Sequence, residues 1–466
     1  MTRPKFLILG AGATGLGAAH RLHQLGQADF LILEQNDYPG GLAASFTDPS
    51  GFVWDLGGHI QFSHYEYFDR LMDEALGADW LHHRRESFVW IHGRFVPYPL
   101  QSNLRYLPRQ VMAECVLGLL RAARNNHRPP AHFSEWIRAS FGEGIARHFL
   151  LPYNAKVWAH PLEMMSYSWI GERVATVNLE KVLENLLLEK DEARWGPNEH
   201  FRFPLRGGTG AVWRAVAGML PAGVVRYGER VVSIDPAARL ARTAAGSYPY
   251  DYLISTIPLD RLALLVDDPA LVEATSRLRY STTHVLGVGF QGRPPESLRR
   301  KCWMYFPESD CPFYRVTLFS NYSPHNVPDS ERCWSLMAEV SESPFQPVDR
   351  GRLIESTLQG FYRTGLAAPT DEVVSTWSRS AEHGYPIPTR DRDDILEAVH
   401  SSLEPRGIFS RGRFGGWKYE VANQDHSSMQ GVEVVERLLL GLPEMTYPNP
   451  PSVNNHTGRV PIRHPG

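Results

Sequence analysis

Three features of the 466-residue chain predict an α/β fold with an interrupted nucleotide-binding domain. A glycine-rich strand, turn and helix opens it. A helix-dense stretch and then strand-like runs follow. Later glycine pairs carry the chain back to where it began. The first element, Phe6–Leu9, is an apolar run that reads as a buried strand. It leads into Gly10-Ala11-Gly12-Ala13-Thr14-Gly15, and Leu16–Leu25 then reads as a helix. A second apolar run, Phe30–Leu33, ends on Glu34. Strand, turn, helix, strand and acid is the context a dinucleotide fingerprint requires. Gly10 permits the tight turn, Gly12 lets the backbone approach a pyrophosphate, and Gly15 lets the helix pack on the strand. The helix's positive end, with Thr14 in its first turn, faces the phosphates. Glu34 is spaced to accept from ribose hydroxyls.

Two further glycine pairs follow closely, in Pro39-Gly40-Gly41-Leu42 and Asp55-Leu56-Gly57-Gly58-His59. Paired glycines let a backbone lie against something flat or crowded. The fingerprint alone does not separate NAD from FAD. With these pairs, the region resembles the FAD-binding half of the flavin amine oxidase superfamily, which implies FAD. Arg3 and Lys5 before an apolar run imitate a signal peptide. Glycines of the fingerprint inside that run favour the buried strand.

Asn103–Leu188 is helix-rich, with apolar spacing in Val111–Ala123 and Leu179–Leu188. Pro97 and Pro99 bound it on one side, Gly196-Pro197 on the other. Phe201–Pro204 is strand-like, and Arg206-Gly207-Gly208-Thr209-Gly210 opens a helix at Ala211–Leu220. Val231–Ile234 and Tyr252–Ile257 read as strands returning to the nucleotide domain. His284–Phe290, Tyr314–Ser320 and Trp334–Val340 suggest a separate antiparallel sheet. Ile408–Trp417 returns through Gly415-Gly416, and Asp425 or Ser427 caps a last helix, Ser428–Leu440. The fold is therefore read as α/β: a discontinuous Rossmann-like FAD-binding domain (1–88, 196–258 and 402–446), a helical insertion (100–195), an antiparallel β-sheet domain for substrate (89–99 and 259–401) and a loose tail (447–466).

Composition narrows the function. Hydrophobic content of 43% supports a large globular interior, and a formal net charge of −3 points away from nucleic acid and anionic membranes. No run of eighteen apolar residues is present, so no membrane span is expected. Cys115, Cys302, Cys311 and Cys333 lack metal-ligand spacing and read as core thiols of a cytoplasmic protein. No H-E-x-x-H occurs among the 19 histidines, leaving a metal site without support. Only six of the 48 basic residues are lysines, so arginine is the default cation.

Longer motifs carry a more specific resemblance. They include Gly57-Gly58-His59-Ile60-Gln61-Phe62-Ser63-His64-Tyr65, Pro152-Tyr153-Asn154-Ala155-Lys156-Val157-Trp158 and Gly171-Glu172-Arg173-Val174-Ala175. Cys311-Pro312-Phe313-Tyr314-Arg315, Ser320-Asn321-Tyr322-Ser323-Pro324, His383-Gly384-Tyr385-Pro386 and Tyr419 through His426 continue them. Across nearly its whole length the chain resembles the UDP-galactopyranose mutases of the eukaryotic, fungal-like type. That resemblance implies an isomerase interconverting pyranose and furanose forms of a nucleotide sugar, UDP-galactose or a related one, without net redox change. N5 of reduced FAD is then the nucleophile at the anomeric carbon. The chain shows no Ser-His-Asp set and no carboxylate pair, and this chemistry needs neither.

The resemblance also implies roles. Arg173 and Arg315 hold the diphosphate, since guanidinium is bidentate and stays charged. Tyr322, Tyr385 and Tyr419 donate hydroxyls to it, and Asn154, Trp158 and Asn198 line the substrate side. The Gly58 carbonyl lies near flavin N5 with His59 against the ring system. Leu42, Val231, Gly412, Arg413, Asn423 and Gln424 join the glycines in holding the cofactor. By the same resemblance the last helix starts near Asn423–Asp425 and aims its positive end at the flavin pyrimidine. Arg85, Ser87, Tyr98, Tyr305 and Arg413 match positions that receive NADPH, with NADPH or NADH the transient reductant. Leu151 and Ala422 depart from the fungal pattern, where a basic residue and a glycine stand. A monomer or small homo-oligomer is expected. The competing reading is an FAD-dependent oxidase or desaturase of the amine oxidase superfamily.

Overall fold

Phe6–Leu9 is buried at all four positions because it lies at the centre of a five-stranded parallel sheet. This computed structural model describes residues 5–124, 128–192, 196 and 198–463; Arg3, Pro197 and the end of the tail fall outside them. The strand order is Ile408–Ser410, Tyr252–Ser255, Phe6–Leu9, Phe30–Leu33, Val225–Arg226, with parallel neighbours throughout. Alternate side chains of the first strand enter opposite layers. Ile8 packs with helices Ala13–Gln24, Gly210–Gly218 and Gln424–Leu440. Leu7 and Leu9 pack with helices Leu259–Val266 and Arg392–Leu403.

A seven-stranded sheet stands apart from this one. Its order is Val373–Ile387, Arg279–Gln291, Cys333–Glu342, Arg315–Thr317, Trp303–Tyr305, Ser87–Ile91, Arg94–Pro97. It is antiparallel except where Trp303–Tyr305 meets Ser87–Ile91 in parallel. Strands from both edges of it share a core with the helical insertion. Val89, Val96 and Ile387 pack with Cys115, Phe141 and Trp158 there.

The structure corrects several expectations. Val231–Asp235 does not join the parallel sheet; it pairs antiparallel with Leu240–Thr243 in a small three-stranded sheet. Tyr314–Ser320 is a strand only over Arg315–Thr317, because Phe319–Asn321 turns as a 3₁₀-helix. The 259–401 segment is not wholly a sheet domain: its helices Leu259–Val266 and Arg392–Leu403 bury their apolar stripes on the nucleotide sheet. The last helix starts at Gln424 with Asn423 as N-cap, not at Ser428. Asp425 does not cap it, and instead accepts from His64 N–H and Nδ1. The tail is not loose. Pro450–Asn454 is helical, Val453 is fully buried, and Val460 bridges to Tyr65. Of the four cysteines, Cys333 is only partly buried. Val373–Ile387, an edge strand, escaped sequence reading because its less exposed face carries Ser375, Arg379 and His383 among its apolar residues, which hides the alternation. Pro386 sits within it, where an edge position tolerates the missing N–H.

Candidate active site

A cavity of about 1310 Å³ opens beyond the carboxyl ends of the central parallel strands. There the order runs outward in two directions from Phe6–Leu9, the switch point where α/β sheets hold ligands. The volume exceeds the roughly 300–1,000 Å³ of a usual single-ligand pocket. It extends from the glycine fingerprint to the seven-stranded sheet.

At the fingerprint end, Gly10 has φ +101° and Gly40 φ +104°, a region side chains rarely adopt. Gly40 N–H donates to the Ala11 carbonyl at 2.8 Å, drawing the second glycine segment onto the first. Helix Ala13–Gln24 has no side-chain cap at Gly12, so its first amides stay open to an anion. The buried Glu34 carboxylate accepts from Ala11 N–H (2.7 Å), Asn36 N–H (2.9 Å) and Asn36 Nδ2 (2.7 Å). Gly12, Thr14, Glu34, Gly40, Gly41, Leu42 and Val231 all line the cavity. Gly15 and Gly412 lie behind the lining. A Cβ on Gly15 would strike the Gly10 carbonyl, and one on Gly412 would strike Thr14.

The last helix also meets the cavity with an uncapped end. Asn423 and Gln424 line it, and the Gln424 Oε1 accepts from Trp213 Nε1 (2.6 Å) and Gln61 Nε2 (3.0 Å). Two open helix N-termini, together with buried atoms at His59 Nδ1 and Gln61 Oε1 that find no partner among the described residues, fit an anionic dinucleotide with a polar ring at its far end.

The far end is organised by a carboxylate absent from the sequence reading. Glu339, on the interior strand Cys333–Glu342, accepts from Arg315 Nε and Nη2, both at 2.7 Å. It also accepts from Tyr314 OH (2.8 Å) and from Gly58 N–H (2.9 Å). Burial opposes charge on Glu339, but the Arg315 guanidinium and these donors outweigh it and hold the carboxyl below its ordinary value. The sequence signal was one acid within the apolar run Trp334–Val340. The Gly57–His59 loop is thereby tied to Arg315. Burial pushes His59 down to about 4, with Arg315 and Arg413 reinforcing burial against the pull of Glu339. This imidazole is neutral at pH 7.

A basic and aromatic wall completes the site. Arg173 donates to Asn423 Oδ1 (2.7 Å) and to the Glu420 carbonyl (2.9 Å), with its guanidinium 5.4 Å from the Tyr419 ring. Arg413 donates to the Gly384 carbonyl and lies 4.9 Å from Tyr385. Tyr385 and Tyr419 are 5.8 Å apart. Arg85 donates to Asn198 Oδ1 at 2.5 Å, and Tyr98 packs 5.0 Å from Tyr305. Trp303, also missed, lines the cavity and donates to Tyr305 OH at 2.6 Å.

The structure does not bring every expected residue to this surface. Tyr322 is 1% exposed among Phe201, Phe203 and Phe319 and does not line the cavity. Its hydroxyl has no hydrogen-bond partner among the described residues. Trp158 forms a second layer, edge-on to Tyr419 at 4.9 Å. Asn154 is held by Leu150 and Trp158, and Ser87 is buried in its strand. These four sit on elements whose register turns them into packed layers.

Comparison with known proteins gives the wider setting. A family profile for flavin containing amine oxidoreductases matches residues 13–412. A solved structure of a reduced UDP-galactopyranose mutase is 46% identical, has a TM-score of 0.96, and covers 99% of this chain with 99% of its own. Two more distant structures share the fold alone. One, from Exiguobacterium sp. 255-15 and assigned as a protoporphyrinogen oxidase, is 18% identical with TM-score 0.73 over 95% of this chain and 100% of that one. The other, a CLA-producing fatty acid isomerase from P. acnes, is 17% identical with TM-score 0.65 over 94% and 99%.

Proposed function

The chain belongs to the UDP-galactopyranose mutase family, within the flavin-containing amine oxidoreductases, and from that membership we propose that it is an FAD-dependent isomerase converting UDP-galactopyranose, or a related nucleotide sugar, to the furanose form. The observation that carries this reading is the convergence of Arg173 and Arg315 on one cavity with the two glycine cradles. When bound and reduced, FAD supplies the nucleophile for the anomeric carbon, so no protein nucleophile is required.

The residues of the chain do the rest. Arg315 spends two of its five N–H groups on Glu339. Nη1 and the second proton of Nη2 remain for a diphosphate oxygen. Arg173 lines the same cavity, and both guanidinium groups stabilise negative charge on the departing diphosphate. Tyr385 and Tyr419 donate hydroxyls to the same group and exclude water with their rings. Neutral His59 packs at the reacting end without adding charge. The open N-terminus of Gln424–Leu440 favours an anionic reduced cofactor. Arg85, Tyr98, Tyr305 and Arg413 are the proposed landing for NADPH or NADH. The unpaired cysteines support a reducing, cytoplasmic setting. The substrate roles of Tyr322, Trp158 and Asn154 and the NADPH role of Ser87 remain proposals, although these four do not line the cavity.

The test separates a mutase from an oxidase. Air-oxidised enzyme should leave UDP-galactopyranose unchanged. After one reduction by dithionite or NADPH without oxygen, many furanose molecules should form per reductant consumed. A ratio near one NADPH per product, or peroxide release with the sugar returned intact, would overturn the proposal.

A further inference from the structure

We propose that the C-terminal segment is a latch for the arginine loop and that Asn454 is the positioning residue through which it acts. The inference rests on the reading that Arg173 holds the substrate diphosphate. Helix Pro450–Asn454 packs directly against the turn Gly171–Arg173. Its last residue reaches inward with both ends of its amide. Asn454 Nδ2 donates to the Glu420 carbonyl at 3.1 Å, and its Oδ1 accepts from His426 Nε2 at 2.9 Å. The same Glu420 carbonyl accepts from Arg173 Nη2 at 2.9 Å. One backbone oxygen is thus shared by the loop arginine and the tail asparagine. Two donors on one carbonyl fix its direction, and that direction sets where the Arg173 guanidinium lies.

The segment is held firmly enough to serve as a latch. Val453 is fully buried. Val460 N–H donates to the His64 carbonyl at 2.7 Å, and Glu66 N–H to the Val460 carbonyl at 3.0 Å. Arg459 pairs with Asp69 at 2.8 Å, and Arg463 with Glu436 at 2.7 Å. Among the described residues the arginine turn has fewer such anchors. Gly171 is exposed with φ +38°, and Arg173 is held by Asn423 and by the shared carbonyl. His426 is fully buried beside Asp425 at the N-terminus of the last helix, so Asn454 links that helix to the loop.

The experiment uses the full-length holoenzyme with Asn454→Ala, Asn454→Asp, Arg173→Ala and the Arg173→Ala/Asn454→Ala pair. Asn454→Asp keeps the acceptor for His426 and puts a charged carboxylate oxygen in place of the donor to Glu420, so it reads the latch if Asn454→Ala folds poorly. Hydrogen exchange over residues 171–175 should be faster in both Asn454 variants, with flavin content retained. UDP, the probe ligand, should bind about threefold to tenfold more weakly to each. The paired variant should bind UDP no more weakly than Arg173→Ala alone. Exchange and UDP affinity like the unsubstituted enzyme's in Asn454→Asp, or additive losses in the pair, would overturn the latch. UDP affinity undiminished in Arg173→Ala would instead overturn the diphosphate role of Arg173, and the latch then stands or falls on exchange.

Discussion

Arg315 was legible as a residue and Glu339 was not. Arg315 stands in a recognisable loop motif. Glu339 is 24 positions away on the next strand, and only antiparallel register puts it opposite Arg315. Arg315→Ala should keep the flavin and lose catalysis. Truncating one partner of a charge-assisted pair costs about 2–5 kcal/mol, or roughly 30-fold to a few thousandfold in kcat/KM. Kinetics like the unsubstituted enzyme's would remove Arg315 from the site. Arg315→Lys should rescue poorly, since an ammonium cannot form the planar fork with Glu339. Glu339→Ala should be the more damaging to folding, because it also takes the acceptor from Tyr314 OH and Gly58 N–H, at near the lower end of about 3–5 kcal/mol for breaking a buried pair. The lower end applies because Arg315 retains 23% side-chain exposure and can rehydrate. Urea unfolding of the two variants checks the order.

The glycine helix and the last helix cross at backbone distance. A Cβ on Gly431 would strike the Thr14 carbonyl and come within 2.9 Å of the Ala18 nitrogen, and one on Gly17 would strike the Ser428 carbonyl. This crossing brings both uncapped helix ends to the same cavity. Gly431→Val should therefore cost about 1–3 kcal/mol by overpacking and lower the fraction of purified protein that carries flavin. Stability and flavin content both unchanged would show that the crossing does not set the site. Helix Ala13–Gln24 was readable from its fingerprint. The family resemblance put the start of the last helix near Asn423–Asp425, where it lies; the capping pattern alone missed it, because Asp425, the evident cap, is drawn away to His64.

Across the whole molecule, buried titratable groups set the response to acid. Burial first, with nearby cations assisting, lowers His20 and His59 to about 4 and His400 to about 3, from the usual 6.5. Between those values and 6.5 the unfolded chain binds more protons, so stability is full above 6.5 and falls as pH drops. Two carboxyls act oppositely. Burial raises Asp55 to about 7 and Glu433 to about 6, which favours the fold as pH falls through those values. Three histidines with shifts of this size outweigh two carboxyls. The holoenzyme Tm should rise from pH 5 to pH 7.5; a flat or falling Tm would contradict this balance.

Local pattern alone determined the nucleotide half of this protein. Phe6–Leu9, Gly10–Gly15 and Phe30–Leu33 are contiguous, and their chemistry depends on neighbours a few residues away. The arginines and tyrosines of the other half were recognisable as types, but not as a surface. Tyr385 and Tyr419 reach the cavity while Tyr322 turns into a packed aromatic cluster. That choice is made by strand register and by the 3₁₀ turn at Phe319–Asn321, which no window of sequence contains. Only the tertiary structure decided that Glu339 holds Arg315 and that the tail is docked, since both depend on contacts between segments far apart in the chain.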